Sequence, residues 1–189
     1  MLKVFLKEHP EIKNDISNLY LSAFPENERP PLDWFYKAVY RYKKNQVIGY
    51  YENYEFIGFV YLVFFRKIVY IAFFAVNESK RNQGYWTKIL KDISDTYRDC
   101  TKLLCFEEVD TKYQDYENRL KRQSFYLRNG YIDNNMKTRE GDVIYQSAYI
   151  GKHPVSFETY KKIFDHTYGP GTNQRYLKQV LWKRLLYLG

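Results

Sequence analysis

A chain of 189 residues suits one domain with a sizeable hydrophobic core and is short for two. Its formal charge of +8 favours contact with anionic groups but specifies no fold. Two cysteines without metal-binding spacing argue against a zinc site or a disulfide framework, and no apolar run reaches bilayer length. We therefore expect a cytoplasmic protein with no bound metal, no membrane span and no signal peptide.

The chain begins with a predicted strand and two predicted helices. Val4, Phe5 and Leu6 form a short apolar run within residues 1–7. Apolar residues then recur at helical spacing in residues 10–24 and again in residues 32–44, and prolines separate the two segments. Both segments are predicted to be amphipathic helices.

Residues 46–76 are predicted to be three antiparallel strands. They are rich in Val, Ile, Phe and Tyr and are interrupted by turn signals near residues 52–55 and 66–67. The runs are almost continuously apolar, which is typical of strands buried on both faces. Helices should therefore cover both sides of this sheet.

The remaining elements are a helix at residues 84–97, a strand at 102–109, a helix at 115–128 and a hairpin at 131–150, with two closing helices at 156–166 and 172–188. We predict one α+β domain over residues 1–150, with a mostly antiparallel sheet of about seven strands flanked by helices. Residues 151–189 form a predicted helical C-terminal extension packed on it.

The last predicted helix carries an apolar stripe. Packing onto the domain is the favoured use of this stripe, a homodimer contact comes second, and a membrane-surface or RNA role is the least favoured. Its members are Leu177, Val180, Leu181 and Leu185.

A possible anion site lies in residues 69–90. A buried strand ends in a polar turn that leads through Gly84 into an amphipathic helix. The free N–H groups at a helix start bind phosphate, and a glycine lets the backbone approach the ligand closely. Taken alone, the pattern also fits a plain strand-to-helix connection.

A possible proton donor lies in residues 124–131. Tyr126 precedes the helix-terminating Gly130 by four residues, and a strand follows. A phenol with a pKa near 10 is suited to protonate a departing thiolate. In a chain with 21 tyrosines, one can also stand at this position by chance.

Together, the two stretches resemble the GNAT superfamily of acetyl-CoA-dependent N-acetyltransferases, bacterial type. Arg81-Asn82-Gln83-Gly84 matches the first four positions of that family's phosphate-loop signature, and Phe125-Tyr126-Leu127-Arg128-Asn129-Gly130-Tyr131 matches the end of its late helix. The order of elements agrees over residues 1–150. The loop at residues 24–31 is similar to an early loop of some bacterial members.

The resemblance implies a GNAT-like acyl-CoA N-acyltransferase fold and direct transfer of acetyl from acetyl-CoA to a primary amine of a small molecule or peptide. Tyr126 would protonate the CoA thiolate. The main chain of Phe74, Ala75 and Val76 would pair with the pantetheine arm. The pyrophosphate would be held by Arg81, Asn82, Gln83, Gly84, Tyr85 and Trp86.

A general base is expected among the carboxylates near the end of the fifth strand. Glu107 and Glu108 are adjacent there, and strand alternation allows only one of them to face a cleft. Glu107 is the candidate, although a solvated strand end is the simpler interpretation. Glu26 and Glu28 are candidates to line the acceptor entrance, or they are solvated loop residues.

Trp86 departs from the family pattern, which has Gly or Ala at this position. An indole there either packs into the core, or shifts the diphosphate, or closes the cofactor cleft. The alternative function is therefore a catalytically inactive binding module on the same fold. A nucleic-acid role is disfavoured because the sequence has no recognition motif.

Overall fold

The computed structural model describes residues 1–180 and contains one eight-stranded sheet in the order β1-β2-β3-β4-β5-β7-β6-β8. All neighbouring strands are antiparallel except β4 and β5, which are parallel. The strands are β1 (Leu2–Phe5), β2 (Gln46–Glu52), β3 (Glu55–Phe65), β4 (Ile68–Val76), β5 (Thr101–Glu107), β6 (Ile132–Glu140), β7 (Val143–Ile150) and β8 (Leu177–Val180).

Helices cover both faces of the sheet, as the near-continuous apolar strands predicted. They are α1 (Lys13–Ala23), α2 (Leu32–Arg41), α3 (Tyr85–Thr96), α4 (Tyr116–Arg128), α5 (Phe157–Tyr168) and α6 (Thr172–Tyr176). None of these helices, within residues 1–180, is long and apolar enough to span a bilayer. The predicted order of elements through residue 150 is confirmed, and so is the α+β fold class.

Two hydrophobic clusters form the core, one on each face. Buried side chains of α1, α2 and α5, including Tyr20, Phe35 and Tyr160, pack on one face of the sheet. Ile89 and Ile93 of α3 pack on the other face together with α4. We call these the α1/α2/α5 face and the α3/α4 face.

The sheet opens between its two parallel strands. Pairing of β4 with β5 runs from Ile68 opposite Thr101 to Ile71 opposite Leu104 and ends there. A bulge follows at once in β4, because Tyr61 is opposite Phe73 while Leu62 is opposite Ile71. An extra residue in one strand bends it away from its neighbour. The second half of β4 therefore keeps β3 as its partner and leaves a gap toward β5.

The prediction of a helix over residues 172–188 is confirmed for residues 172–176 and wrong for residues 177–180, and its remainder lies outside the described residues. Helix α6 ends at Tyr176, and Leu177–Val180 forms strand β8, antiparallel to β6, so the sheet has eight strands instead of about seven. The free edge of β6 offers backbone hydrogen bonds to residues 177–180, and the apolar stripe in their own sequence does not indicate such a partner. Leu181 and Leu185 lie outside the described residues, and the dimer contact stays a prediction.

Candidate active site

A cavity of about 800 Å³ occupies the gap between β4 and β5. Its walls include the unpaired half of β4 and the last residues of β5. Arg81 and Trp86 line one end, beside the start of α3, and Trp34, Tyr145 and Tyr168 line another part of the wall. Because the gap passes between strands, the cavity is bordered by side chains from both faces of the sheet.

The polar turn before α3 leaves backbone amides free. Asn82 and Gly84 have left-handed backbones, with φ of 60° and 77°. The first intrahelical bond runs from the Lys88 N–H to the Gly84 carbonyl at 3.1 Å, so the preceding amides of this turn lack an i−4 partner within the helix. Residues 81–84 are exposed, and an added Cβ at Gly84 would meet nothing within 4 Å. The turn is therefore open to a phosphate group.

Tyr85 contributes only its main chain to this turn. Its ring is buried in the core of the α3/α4 face, and its hydroxyl donates a hydrogen bond of 2.6 Å to Glu52 on β2. The side chain thus anchors α3 to the sheet. Gln83 is similarly engaged, since its amide donates to the Ser79 carbonyl at 3.0 Å.

Trp86 is half-buried and forms part of the cavity wall. Its ring lies 4.3 Å from the ring of Phe74 on β4, centroid to centroid, and 6.1 Å from the ring of Phe125 on α4. The indole therefore packs between β4 and α4, next to the turn that resembles a pyrophosphate site. Phe74, Ala75 and Val76 lie along the unpaired half of β4 and also line the cavity.

Tyr126 presents its phenol to the cavity from α4. The residue is 7% exposed and packs against the rings of Phe106, Phe125 and Tyr131. Burial raises the pKa of Tyr126 to about 12, a shift that the nearby charge of Arg122 opposes. No hydrogen bond joins its hydroxyl to another of residues 1–180, so a ligand in the cavity can accept one. At neutral pH this phenol is protonated.

Glu107 and Glu28 lie together in the cavity wall. Glu107, at the end of β5, is buried and forms an ion pair with Arg122 of α4. Glu28 accepts a hydrogen bond of 3.2 Å from the Tyr145 hydroxyl. Burial, and then the charge of Glu107, raises the pKa of Glu28.

Glu108 and Glu26 lie outside this cavity wall. Lys112 and Lys137 bind the carboxylate of Glu108 at 2.7 and 2.8 Å, and the Tyr113 hydroxyl donates to it at 3.0 Å. Although burial opposes the shift, these hydrogen bonds lower the pKa of Glu108 to about 2. Glu26 is exposed in the loop after α1. Glu108 is thus engaged in an ion cluster, and Glu107 is the member of the adjacent pair that lines the cavity.

Glu140, which was not predicted from the sequence, lines the cavity at the end of β6. Its position before Gly141 in a hairpin is typical of a solvated turn, and no sequence motif marks it. Its main partner, Tyr160 of α5, is twenty residues away and donates a hydrogen bond of 2.7 Å. Only the packing of α5 on the sheet brings the two together.

Within residues 1–180, no cluster of three or more His, Cys, Asp or Glu side chains is arranged to hold a metal ion. Cys100 and Cys105 are free thiols. Burial raises the pKa of the Cys105 thiol far above neutrality, which leaves it protonated and unsuited to nucleophilic attack.

The fold of this chain is similar to that of many solved structures, among them three bacterial acetyltransferases. A protein named as a GNAT-family acetyltransferase from Bacteroides thetaiotaomicron superposes with a TM-score of 0.71 and 20% identity, covering 89% of this chain and 99% of its own. An aminoglycoside 6'-N-acetyltransferase from Enterococcus faecium has a TM-score of 0.60 and 13% identity, with coverage of 82% and 98%. A Bacillus subtilis acetyltransferase in complex with CoA has a TM-score of 0.55 and 15% identity, with coverage of 74% and 92%.

At these identities the structural likeness establishes the fold. No curated protein matches the sequence significantly. The sequence profile described as "Acetyltransferase (GNAT) family" matches residues 13–131, more than half of the chain. The resemblance drawn from the turn at residues 81–84 and the helix end at residues 125–131 is thereby confirmed, and the chain belongs to the GNAT acetyltransferase family.

Proposed function

We propose that this protein transfers the acetyl group of acetyl-CoA to a primary amine of a small molecule or peptide, by direct attack of the amine on the thioester. The observation that carries the proposal is the cavity in the gap between β4 and β5. It combines an unpaired strand edge, an open helix-start turn and a buried phenol without an internal hydrogen-bond partner.

The acetyl-CoA site is proposed along β4 and the start of α3. The edge of Phe74, Ala75 and Val76 that faces β5 is unpaired, so its backbone groups are available to the amide-containing pantetheine arm. The free amides of residues 82–86 and the cation of Arg81 suit a pyrophosphate. The B. subtilis protein with this fold was solved with CoA, which supports the same ligand here.

Tyr126 is proposed as the general acid that protonates the thiolate of CoA. It is buried at the cavity wall, it is protonated at neutral pH, and its hydroxyl is free for a ligand. The role of Glu107 as general base stays a prediction. Its carboxylate lies in the wall and is ion-paired with Arg122, so it would have to leave this partner to accept a proton from an amine.

The acceptor is proposed to be a cationic amine. Glu28 and Glu107 belong to a cavity wall with five acidic side chains and three arginines, in a protein whose formal net charge is +8. The excess of carboxylates favours a cationic acceptor. The E. faecium protein is named for transfer to an aminoglycoside, which is consistent with an amine acceptor on this fold.

The second candidate is an inactive binding module. Trp86 stands in the cavity wall beside the proposed pyrophosphate turn, and a ring displaced toward the turn would exclude the diphosphate. In that case the protein would bind neither acetyl-CoA nor CoA.

The test is acetyl transfer by the purified full chain, measured as CoA release and as acetylated product with a panel of primary amines. We expect turnover by the native protein and a loss of roughly tenfold or more in Tyr126→Phe, with CoA affinity unchanged, because the substitution removes a proton donor and keeps the ring. Tyr54→Phe, on a fully exposed turn residue, is the matched control. Absence of CoA binding at millimolar concentration would refute the enzyme and favour the binding module, and full activity of Tyr126→Phe would refute the role of Tyr126.

A further inference from the structure

Glu140, at the end of β6, is connected by hydrogen bonds to the point where the two parallel strands separate. Its carboxyl group is joined through Tyr160 to Tyr70 on the paired part of β4 and to Cys105, the first residue of β5 beyond the last pair with β4. Tyr70 and Tyr160 are buried, Glu140 and Cys105 are half-buried, and Glu140, Tyr70 and Cys105 line the cavity. The carboxyl group is therefore linked to the apex of the gap.

The hydrogen bonds around Glu140 leave one carboxyl oxygen available. Tyr160 donates to Oε1 at 2.7 Å, and Thr138 donates to the same oxygen at 3.1 Å. With the Tyr160 proton committed to Glu140, the hydroxyl of Tyr70 at 3.1 Å and the thiol of Cys105 at 3.4 Å donate to the Tyr160 oxygen. No donor among residues 1–180 reaches Oε2. The network fixes the carboxyl group and keeps an acceptor oxygen free.

The titratable groups that face Glu140 are phenols and a thiol. They come from β4, β5, β7 and α5, and no Lys or Arg of the described chain forms an ion pair with Glu140. Burial raises the pKa of Glu140 to about 7, against the hydrogen bonds from Tyr160 and Thr138. A carboxyl group that titrates near neutrality is suited to accept and release a proton at working pH. The facing groups are Tyr70, Cys105, Tyr145, Tyr160 and Tyr168.

Glu140 and Tyr126 lie on opposite faces of the sheet. Tyr160, which holds Glu140, belongs to the core of the α1/α2/α5 face, while Tyr126 belongs to the core of the α3/α4 face. The gap between β4 and β5 connects the two. A proton acceptor on one side of the gap and a proton donor on the other suit an amine that enters from one face and a thiol that leaves toward the other.

We propose that Glu140 is the general base of the reaction, taking a proton from the acceptor's ammonium group, and that Tyr160 is its positioning residue. This inference rests on the proposed acetyl transfer and assigns to Glu140 the role that the sequence had suggested for Glu107. The ammonium nitrogen carries three protons. One goes to Glu140 and later to solvent, one stays on the amide product, and one replaces the proton that Tyr126 donates to sulfur. The C–N bond forms as the C–S bond breaks, and no oxidant or reductant is needed.

The test is the pH profile of kcat/KM with an acceptor amine whose own pKa lies well above 9, so that the amine does not titrate in the window studied. We expect the native activity to fall with decreasing pH through an inflection near 7. In Glu140→Gln we expect a loss of roughly a hundredfold or more at pH 8 and no such inflection, with CoA affinity unchanged. Glu158→Gln, on an exposed carboxylate of α5, is the control and should keep the native profile.

The variant Tyr160→Phe tests whether Tyr160 positions Glu140, and it keeps Glu140 itself in place. It removes a hydrogen bond that stabilises the charged form of Glu140, so the inflection should move to higher pH while activity above the inflection is largely kept. This readout also decides the matter if Glu140→Gln fails to fold. An unshifted inflection in Tyr160→Phe, or a native profile in Glu140→Gln, would overturn the proposal.

Glu107→Gln distinguishes the two carboxylates. If that variant alone loses the inflection, Glu107 is the base and the inference about Glu140 is wrong while acetyl transfer stands. If the native chain acetylates no amine, the proposed function falls, and the role of Glu140 falls with it.

Discussion

At the scale of single residues, Trp86 differs most from what its family pattern implies. The indole is half-buried against Phe74 and Phe125, and its exposed part borders the cavity. It is thus neither a fully buried core residue nor a ring directed into solvent. Its contacts with two aromatic rings favour a packing role, since such pairs contribute about 0.5–1.5 kcal/mol beyond the area that they bury.

We expect Trp86→Ala to lower the free energy of unfolding by about 2 kcal/mol, less than the 3–5 kcal/mol typical of a fully buried Trp, and to change CoA affinity by less than about threefold. Urea denaturation and calorimetric titration with CoA measure the two effects. Trp34→Ala, at a half-buried tryptophan elsewhere in the cavity wall, is the matched control for stability. Tenfold tighter CoA binding with unchanged stability would instead identify Trp86 as a block to the cofactor.

At the scale of elements, the approach of β3 to β4 determines how the site is built. Gly58 on β3 is opposite Val76, at the end of the strand edge proposed to bind pantetheine. A Cβ placed on Gly58 would lie 2.3 Å from the Ala75 carbonyl oxygen and 3.0 Å from the Val76 Cα. Both are backbone atoms, so they cannot move aside by a change of rotamer, as a side chain could. The glycine lets the two strands remain this close.

Gly58→Ala is therefore expected to displace β4 and to lower the free energy of unfolding by about 1–3 kcal/mol, as overpacking typically does. CoA affinity should fall with it, because the displaced atoms belong to the proposed binding edge. Thermal denaturation and CoA titration test both effects. Gly49→Ala on β2 is the comparison, since its added Cβ would meet only side-chain ends, at 3.2 Å, and should cost less. Native stability in Gly58→Ala would contradict the close approach.

At the scale of the whole molecule, charge is distributed unevenly. The formal net charge is +8, yet the cavity is lined by five acidic side chains, among them Glu28, Glu107 and Glu140, and by only three arginines. Burial raises the pKa of Glu28 and of Glu140, so the folded protein holds protons there that the unfolded chain would release. Folding stability is therefore linked to pH through this cavity.

The linkage predicts the sign of the pH dependence. Glu140 titrates near 4.5 when unperturbed and at about 7 when folded, so between these values the folded state binds more protons than the unfolded state. The stabilisation that protonated Glu140 contributes to the folded state is thus lost as pH rises from 4.5 to 7. Above pH 7 its contribution no longer changes with pH. At roughly 1.4 kcal/mol per pKa unit, native stability relative to Glu140→Gln should fall by about 3 kcal/mol across that window. Urea denaturation at pH 5 and 8 measures the difference, and a constant difference would contradict the raised pKa of Glu140.

The sequence by itself determined the features that depend on local pattern. Helical and alternating apolar periods gave the order of elements through residue 150, because short-range periodicity reports which face of an element is buried. The turn before α3 and the end of α4 were recognisable because the residues of each motif are contiguous in the chain. These two motifs indicated the family. The left-handed Gly130 after α4 is one such local feature, with φ of 86°.

Tertiary structure alone decided the features that depend on distant partners. Leu177–Val180 is a strand because the free edge of β6 pairs with it, against a helical stripe in its own sequence. The place of Glu140 in the cavity wall was also hidden, since it depends on Tyr160 from α5, and so was the ion pair of Glu107 with Arg122 from α4. A pKa, a cavity and a sheet edge arise from contacts between segments far apart in the chain. Periodicity and motif spacing carry no information about such contacts.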